Sequence, residues 1–210
     1  MRKFFELGGI VAAIVLIAFG AAAIILGVNG KNTVGNELKM QQITGTPDMT
    51  PAAITAEAKS AHLNLATTPL PTCTVANLPV NSGDRARCFA QYMRIHTLEA
   101  TGGVPYALMP RYATADGKGT NDPTKALMQN GQPVDNAARN IWVTETALTT
   151  ALNASYMAEQ MATFGIVVGI ALLLSGFGFA ILTIGGALEN QQIVKFVTSK
   201  KANAPAVPVA

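Results

Sequence analysis

Two long uncharged blocks interrupt the alternation of polar and apolar positions along this chain. The first covers residues 7–28 and the second residues 160–188, and neither contains a charged side chain. A helix needs about 20 mostly apolar residues to cross a bilayer, so each block is long enough to span one. The pattern predicts transmembrane helices over residues 7–28 and 161–188, with residues 1–6, 29–160 and 189–210 outside the bilayer.

The first block has a second interpretation, as a secretory signal that is removed from the mature protein. Arg2 and Lys3 would form its basic region, and the alanines at 21–23 would form a small-residue cleavage site. However, the apolar run continues through residues 24–26, which makes it longer than the apolar region of a typical signal. The length therefore favours an uncleaved anchor.

Proline and glycine positions divide the polar segment between the blocks into predicted helices. Thr50 and Pro51 form an N-cap followed by a first-turn proline, which predicts a helix over residues 51–63. A second helix is predicted to open at residues 82–84 and to end at the two glycines 102–103. A third, free of glycine and proline before the second block, is predicted to run from about residue 136 to 188.

The connections between these helices have their own signals. Residues 31–43 are predicted to prolong the first helix beyond the bilayer. Residues 67–80 hold three prolines and are predicted to form an extended connector. Residues 105–133 are predicted to be mostly loop, with at most a short helix at 124–128.

Two apolar stripes predict how the polar segment packs. On the last helix, a period of about 3.6 residues predicts a face turned towards the other helices of the segment, made of Ile141, Leu148, Ala151, Leu152, Tyr156 and Met157. On the middle helix, His96 shares one side with Phe89, Tyr92 and Met93. We expect that side to face residues 136–157.

The charge distribution argues against a nucleic-acid partner. Charged residues make up 13% of the chain and its formal net charge is +3. The central segment holds ten basic and ten acidic residues, so the surplus lies in the two ends. Nucleic-acid binding would need a clustered basic face, and none is present in the sequence. The partner expected from composition is the lipid bilayer.

Basic residues near the two blocks predict the orientation in the membrane. Arg2 and Lys3 precede the first block, and Lys195, Lys200 and Lys201 follow the second. Lys and Arg accumulate on the cytoplasmic side, which predicts a two-pass plasma-membrane protein with both termini cytoplasmic and residues 29–160 extracytoplasmic. Two lysines close to the first block, at 31 and 39, oppose this orientation weakly.

The only two cysteines, Cys73 and Cys88, both fall in the segment predicted to be extracytoplasmic. Disulfides persist outside the cytoplasm, and two cysteines in one small domain most simply pair with each other. Closing a loop of about 15 residues stabilises a fold by about 3 kcal/mol in the chain-entropy model. The alternative, two buried thiols, would imply the opposite orientation. The fold class expected is an all-α membrane protein, with two transmembrane helices flanking a small helical domain that holds one disulfide.

Small residues four positions apart predict close helix packing within the bilayer. In the second block these are Gly165 with Gly169, and Ala171 with Ser175. The first block has similar pairs, at positions 9 and 13 and at 18 and 22. The partner is either the other span or another protein, in a homo- or hetero-oligomer. Neither block carries an ionisable side chain, which argues against an ion pathway.

The residues around His96 resemble an active site more than any other part of the sequence does. Cys88, His96 and Glu99 share a helix, but a Cys88–His96 nucleophile pair is excluded if Cys88 is in a disulfide. Zinc needs three or four ligands, and the only other histidine, His62, belongs to a different predicted helix. A site formed by both histidines and a carboxylate stays open as an alternative. We predict instead a half-buried, hydrogen-bonded histidine, and no catalytic, metal or cofactor site.

A second group of oxygen ligands occurs in the sequence DGKGTND. Asp116, Asn121 and Asp122 are the residue types that bind calcium, but their spacing does not match an EF-hand loop. We predict a glycine-rich turn held by side-chain hydrogen bonds. Arg111, Tyr112 and Trp142 are a further candidate lining for a ligand pocket. Single aromatic residues in a helical domain are usually core, so we predict that Tyr112 and Trp142 belong to it.

Four stretches carry a resemblance to known sequences: GTPDMTP, RARCFAQYMRIHTLEATGG, YATADGKGTND and IWVTETALTTALNASYMAEQMATFGIVVGIALLLSGFGF. Together they resemble a group of actinobacterial hypothetical two-span membrane proteins of unknown function. The likeness extends over nearly the whole chain up to about Leu188. It implies a plasma-membrane protein that faces the cell wall, and it implies no activity or site residues.

The function expected from these patterns is non-enzymatic. Without a catalytic constellation or charged spans, the chain is predicted to be a structural or protein-interaction membrane protein of the bacterial cell envelope. An alternative is an extracytoplasmic ligand-binding or sensory module, which would have to signal through a partner because only about 20 residues follow the second span. A third alternative is an envelope hydrolase acting through His96 and Glu99.

Overall fold

The computed structural model describes residues 2–185, and the side chains from residue 7 onwards. The predicted tail, residues 189–210, lies outside the described residues. The fold is mostly helical, as predicted. Residues 2–185 contain four α-helices, α1 (Arg2–Met40), α2 (Pro51–Ser60), α3 (Gly83–Ala100) and α4 (Ala137–Ile184).

The expectation of an all-α protein needs one correction. A minimal antiparallel hairpin pairs β1 (Met128–Gln129) with β2 (Gln132–Pro133). The short helix predicted at residues 124–128 is replaced by a 3₁₀ turn at Pro123–Lys125 and by β1. The turn of the hairpin places Asn130 and Gly131 at positive φ. Asparagine and glycine adopt this conformation more readily than other residues, and it is incompatible with an α-helix.

The described residues form two units, a helix pair made of residues 2–29 and 162–185, and a central domain, Gly30–Met161. Helices α1 and α4 contribute residues to both units. Each contains a segment that is long and apolar enough to cross a membrane, within Leu7–Met40 and Ala137–Ile184.

Glycines bring the two backbones of the helix pair close together. A Cβ atom on Gly20 would lie 2.8 Å from the carbonyl oxygen of Gly169, and one on Gly169 would lie 2.7 Å from that of Gly20. A Cβ on Gly27 would lie 2.6 Å from the Ala162 carbonyl oxygen, and one on Gly176 would lie 2.7 Å from the Ile17 side chain. Any larger side chain at these positions would push the helices apart.

The core of the central domain is built from one face of each helix and from the connectors. Its most buried large side chains are Tyr92 and Ile95 of α3 and Ile54 of α2, with Met49, Val75 and Val80 from the connectors. Leu38 of α1 and Trp142 and Leu152 of α4 belong to the same cluster. The Tyr92 hydroxyl donates a hydrogen bond of 2.6 Å to the carbonyl oxygen of Cys73.

Cys73 and Cys88 form the predicted disulfide, which ties the extended connector to α3. The connector joins the domain by isolated bridges between Thr44 and Pro79 and between Gly45 and Ala76. A chain with three prolines cannot continue a helix, so it satisfies its backbone groups by these single pairings instead.

The predicted helix starts are confirmed by side-chain caps. Thr50 accepts a hydrogen bond from the backbone N–H of Ala53, and Ser82 accepts one from that of Arg85. The end of α2 comes at Ser60, three residues before the predicted end, because His62 has a φ of 54° and leaves the helical region. Two glycines at positive φ follow α3 as predicted.

The face of α4 that packs into the domain matches the predicted stripe only in part. Leu152 is buried and Leu148 packs against the core, as predicted. Ile141 and Met157 are instead 41% and 61% exposed, and Trp142 and Glu145 are buried. The indole N–H of Trp142 donates hydrogen bonds to the Thr101 hydroxyl (3.2 Å) and to the Val104 carbonyl oxygen (3.0 Å), and these partners turn this side of α4 inwards.

Candidate functional site

An exposed face of α4 in the central domain forms a regular, uncharged and mostly apolar row. We call this row the α4 seam; its residues are Val143, Ala147, Thr150, Ala154, Met157 and Met161. All six are exposed, and Val143 and Met161 are 56% and 71% exposed. Their spacing alternates between four and three residues, the repeat that keeps one side of a helix against a partner helix in a coiled coil.

None of the seam residues is charged, and the two charged residues in this part of α4 lie on other sides of the helix. Between positions 140 and 161 these are Glu145 and Glu159. Glu145 is 4% exposed and lies in the domain. Glu159 accepts a hydrogen bond from the backbone N–H of Gly83 and lies 3.6 Å from the ammonium nitrogen of Lys31. A solvated helix face normally carries charged side chains, so this face is unusual for one exposed only to water.

An open, mostly apolar groove of about 470 Å³ overlaps the seam and shares three residues with it. It is lined by Tyr106, Trp142, Val143, Thr146, Ala147 and Thr150. The guanidinium of Arg139 stacks over the Tyr106 ring at 4.2 Å, so the aromatic wall of the groove is braced. Trp142 is thus both a core residue, as predicted, and one wall of this groove.

His96 lies against two carboxylates, and the prediction that it faces residues 136–157 is wrong. Its Nε2 atom is 3.3 Å from Asp48 Oδ2 and 3.5 Å from Glu57 Oε2. Asp48 precedes α2 and Glu57 belongs to α2, so His96 faces α2. Met93, from the same predicted side of α3, lines a hollow together with Ile141 and Leu148 of α4. We call these three residues the His96 cluster.

Nε2 of His96 is buried within the described residues, and protonation of the imidazole would make each of these contacts an ion pair. The pKa of Glu57 is raised, first by burial and then by the negative charge of Asp48; Glu99 adds to this and His96 opposes it. The carboxylates therefore repel each other.

The other sequence candidates for chemistry are separated by the fold. Cys88 is in the disulfide and is not a nucleophile. His62 is exposed beyond the end of α2 and is not part of the His96 cluster. Sequence reasoning missed Asp48 and Glu57, because a turn residue and a helix residue far from His96 in sequence show no pattern that links them.

The oxygen ligands of the DGKGTND segment are used within the turn, as predicted. Asp116 accepts hydrogen bonds from the Thr114 hydroxyl and the Lys118 N–H, which lower the pKa of its carboxyl group. Asn121 accepts one from the backbone N–H of Arg111. Asp122 caps the following turn by accepting from Thr124.

The four small residues predicted to pack in the membrane take different positions. Gly169 is buried against Gly20 and Ile24, and a Cβ on Gly165 would make an ordinary 3.7 Å contact with the Ala23 carbonyl oxygen. Ala171 and Ser175 are exposed, and the Ser175 hydroxyl donates to the Ala171 carbonyl oxygen of its own helix.

Comparison with known proteins identifies no relative: no protein-family model, no curated protein and no solved structure matches this chain. Its function must therefore be argued from its own residues.

Proposed function

We propose that this chain is a non-enzymatic, two-span membrane protein of the bacterial cell envelope that pairs with a second copy of itself through the α4 seam. The observation that carries the proposal is the seam: a six-residue, uncharged, heptad-spaced row that stays exposed in the single chain. Exposed apolar rows of this kind mark interaction surfaces.

A second copy suits the seam better than an unrelated partner. Two-fold symmetry places the same patch of both copies in contact, so the patch must be complementary to itself. An uncharged row meets that requirement because it brings no like charges together. The hydroxyl of Thr150 can both donate and accept, and it can therefore pair with its own counterpart. From Val143 to Met161 the contact would extend about 27 Å along the helix.

The membrane supports this pairing by fixing the direction of both copies. In the proposed topology both termini are cytoplasmic and the central domain is extracytoplasmic. The basic residues outside the spans and the Cys73–Cys88 disulfide support this orientation. Copies held in one bilayer present their α4 helices in parallel, and confinement raises their effective concentration.

Co-purification of two differently tagged full-length copies tests the pairing. The copies are expressed together, extracted in mild detergent and captured through one tag. We expect the second tag to be recovered with wild type and to be lost with Ala154→Glu, which places a charge in the middle of the seam. Ala66→Glu, at an exposed loop alanine outside the seam, is the matched control and should pair like wild type.

Two results would overturn the pairing. One is recovery of wild type only as a single copy. The other is equal recovery of Ala154→Glu and wild type.

The topology is tested separately by cysteine labelling on intact cells. Lys118→Cys, in the exposed DGKGTND turn, should react with a membrane-impermeant maleimide. Ser199→Cys, in the predicted cytoplasmic tail, should react only after the cells are made permeable. The reverse labelling pattern would contradict the proposed orientation.

The groove that overlaps the seam favours one alternative function, an extracytoplasmic ligand-binding or sensory module. A volume of about 470 Å³ lies within the range of small-molecule sites. An apolar compound that binds there would raise the melting temperature of the full-length chain by mass action. Thr146→Trp should abolish that rise by filling the groove, and an unchanged rise would place the compound elsewhere.

A further inference from the structure

The His96 cluster brings together three metal-ligating atoms from three separate segments. Nε2 of His96, one Asp48 oxygen and one Glu57 oxygen all lie within 4.8 Å of one another. Asp48 comes from the turn before α2, Glu57 from α2 and His96 from α3. The three side chains are 37%, 30% and 25% exposed, so an ion in solution has access to them.

The cluster is electrostatically incomplete as it stands. Two carboxylates share the site with one imidazole, and their negative charges repel each other at this distance. When Nε2 of His96 is unprotonated, its buried lone pair faces two carboxylate oxygens, which are acceptors and cannot donate to it. A buried polar atom without a partner costs free energy, and so does the repulsion between the carboxylates. A bound cation would remove both costs, because it accepts the nitrogen lone pair and neutralises the oxygens.

We propose that Asp48, Glu57 and His96 bind a divalent transition-metal ion, and that zinc fits them best. In a tetrahedral zinc site with ligand bonds of about 2.0–2.1 Å, neighbouring ligand atoms lie about 3.4 Å apart. The observed separations from Nε2 to the two oxygens are 3.3 and 3.5 Å. Calcium prefers six to eight oxygen ligands, whereas one imidazole with two carboxylates suits zinc.

The ion joins the turn before α2, α2 and α3, and acts as a second staple in the central domain. The Cys73–Cys88 disulfide ties α3 to the extended connector, and the metal ties α3 to α2 and to the turn before it. Three protein ligands leave the fourth position of the ion to water. This metal site is separate from the proposed pairing surface, because none of its residues belongs to the α4 seam.

Zinc titration of the full-length protein tests the site. The protein is purified in detergent, freed of its affinity tag, stripped with a chelator and titrated with zinc against a chromogenic competitor. We expect one ion per chain and a zinc-dependent rise in the melting temperature. Asp48→Asn and His96→Asn should each weaken zinc binding at least tenfold and abolish the rise in melting temperature.

His62→Asn is the matched control, because it removes the other histidine at a left-handed position that asparagine tolerates. It should bind zinc like wild type. Bound cobalt should give wild type the intense visible absorption of a four-coordinate ion, and His96→Asn should lose it. Circular dichroism checks that each variant is folded, and Glu57→Gln replaces any that is not.

Absence of saturable zinc uptake by wild type would overturn the site. So would equal uptake by wild type and by folded His96→Asn or Glu57→Gln. Neither result bears on the seam, whose co-purification assay contains no metal.

Discussion

The backbone N–H of Gly83 donates a hydrogen bond to the carboxylate of Glu159, and this contact joins the first turn of α3 to α4. The N-terminus of a helix has unpaired N–H groups and a partial positive charge, so a carboxylate is favourable there. Lys31 of α1 lies 3.6 Å from the same carboxylate. Three helices of the central domain therefore meet at one acidic side chain.

Gly83→Ala should destabilise the central domain. The added Cβ would lie 2.8 Å from the Cα of Tyr156, which is backbone and cannot rotate away. Overpacking of this kind costs about 1–3 kcal/mol. Denaturant unfolding followed by the fluorescence of Trp142, the only tryptophan and a buried one, measures the loss.

Gly35→Ala is the matched control for that experiment. Gly35 lies in α1, and its added Cβ would make only an ordinary 3.5 Å contact with the Asn81 carbonyl oxygen. Replacing a helical glycine by alanine without a clash should stabilise the domain by about 0.5–1 kcal/mol. Equal effects of the two substitutions would contradict the close approach at Gly83.

Reduction of the disulfide should lower the stability of the central domain. The bond closes a loop between positions 73 and 88, 15 residues apart, and a loop of that size contributes about 3 kcal/mol in the chain-entropy model. The same Trp142 fluorescence assay, with and without a reducing agent, measures the change. The double variant Cys73→Ala, Cys88→Ala should be as unstable as reduced wild type, with or without the reducing agent. If the reducing agent also destabilises this variant, the loss in wild type does not come from the disulfide.

Glu57→Gln should change how stability depends on pH in metal-free protein. Burial and Asp48 raise the pKa of Glu57 above its ordinary value of 4.5. The folded state therefore holds this proton more tightly than the unfolded state does. The resulting stabilisation is complete below about pH 4.5 and is lost as the pH rises through the raised pKa.

Glutamine stays neutral at every pH, so Glu57→Gln should melt higher than wild type at pH 7 in the presence of a chelator. The difference should shrink as the pH is lowered towards 4. Melting temperatures across this range measure it, and Glu37→Gln, outside the His96 cluster, serves as the control. A difference that grows on acidification would show that the sign of the Glu57 effect is wrong.

Gly169→Ala should loosen the helix pair, whereas Gly178→Ala should not. A Cβ on Gly169 would lie 2.7 Å from the Gly20 carbonyl oxygen, but a Cβ on Gly178 would meet nothing within 4 Å. Overpacking at Gly169 should cost about 1–3 kcal/mol. Thermal unfolding in detergent, followed by far-ultraviolet circular dichroism, compares the two; an equal loss at Gly178 would show that the cost comes from helix propensity or lipid contact.

Local features were predictable wherever a single residue determines the backbone conformation at its own position. Thr50 and Ser82 cap α2 and α3 because a side-chain oxygen reaches an N–H only three residues away. The uncharged blocks predicted two helices able to span a membrane, and the cysteine pair predicted the disulfide. Each of these depends on composition or on neighbours close in sequence.

Contacts between helices were predicted less well. The apolar period of α4 predicted that this helix packs against the domain, but Ile141 and Met157, which were predicted to face inwards, are exposed. Alanine and threonine are common all round this helix, so several sides had similar apolarity. The hydrogen bonds of the Trp142 indole to Thr101 and Val104 select one of them, and these partners are about 40 positions away.

The sequence by itself determined the helical segments, their caps, the pairing of Cys73 with Cys88 and the two apolar helices, because each follows from local backbone preference or from residue composition. Only the tertiary structure decided that α3 turns His96 towards Asp48 and Glu57, and that α4 leaves the seam exposed. Helix rotation is set by packing among side chains distant in sequence, such as Trp142 in the core and Tyr156 at Gly83, and no local pattern encodes it.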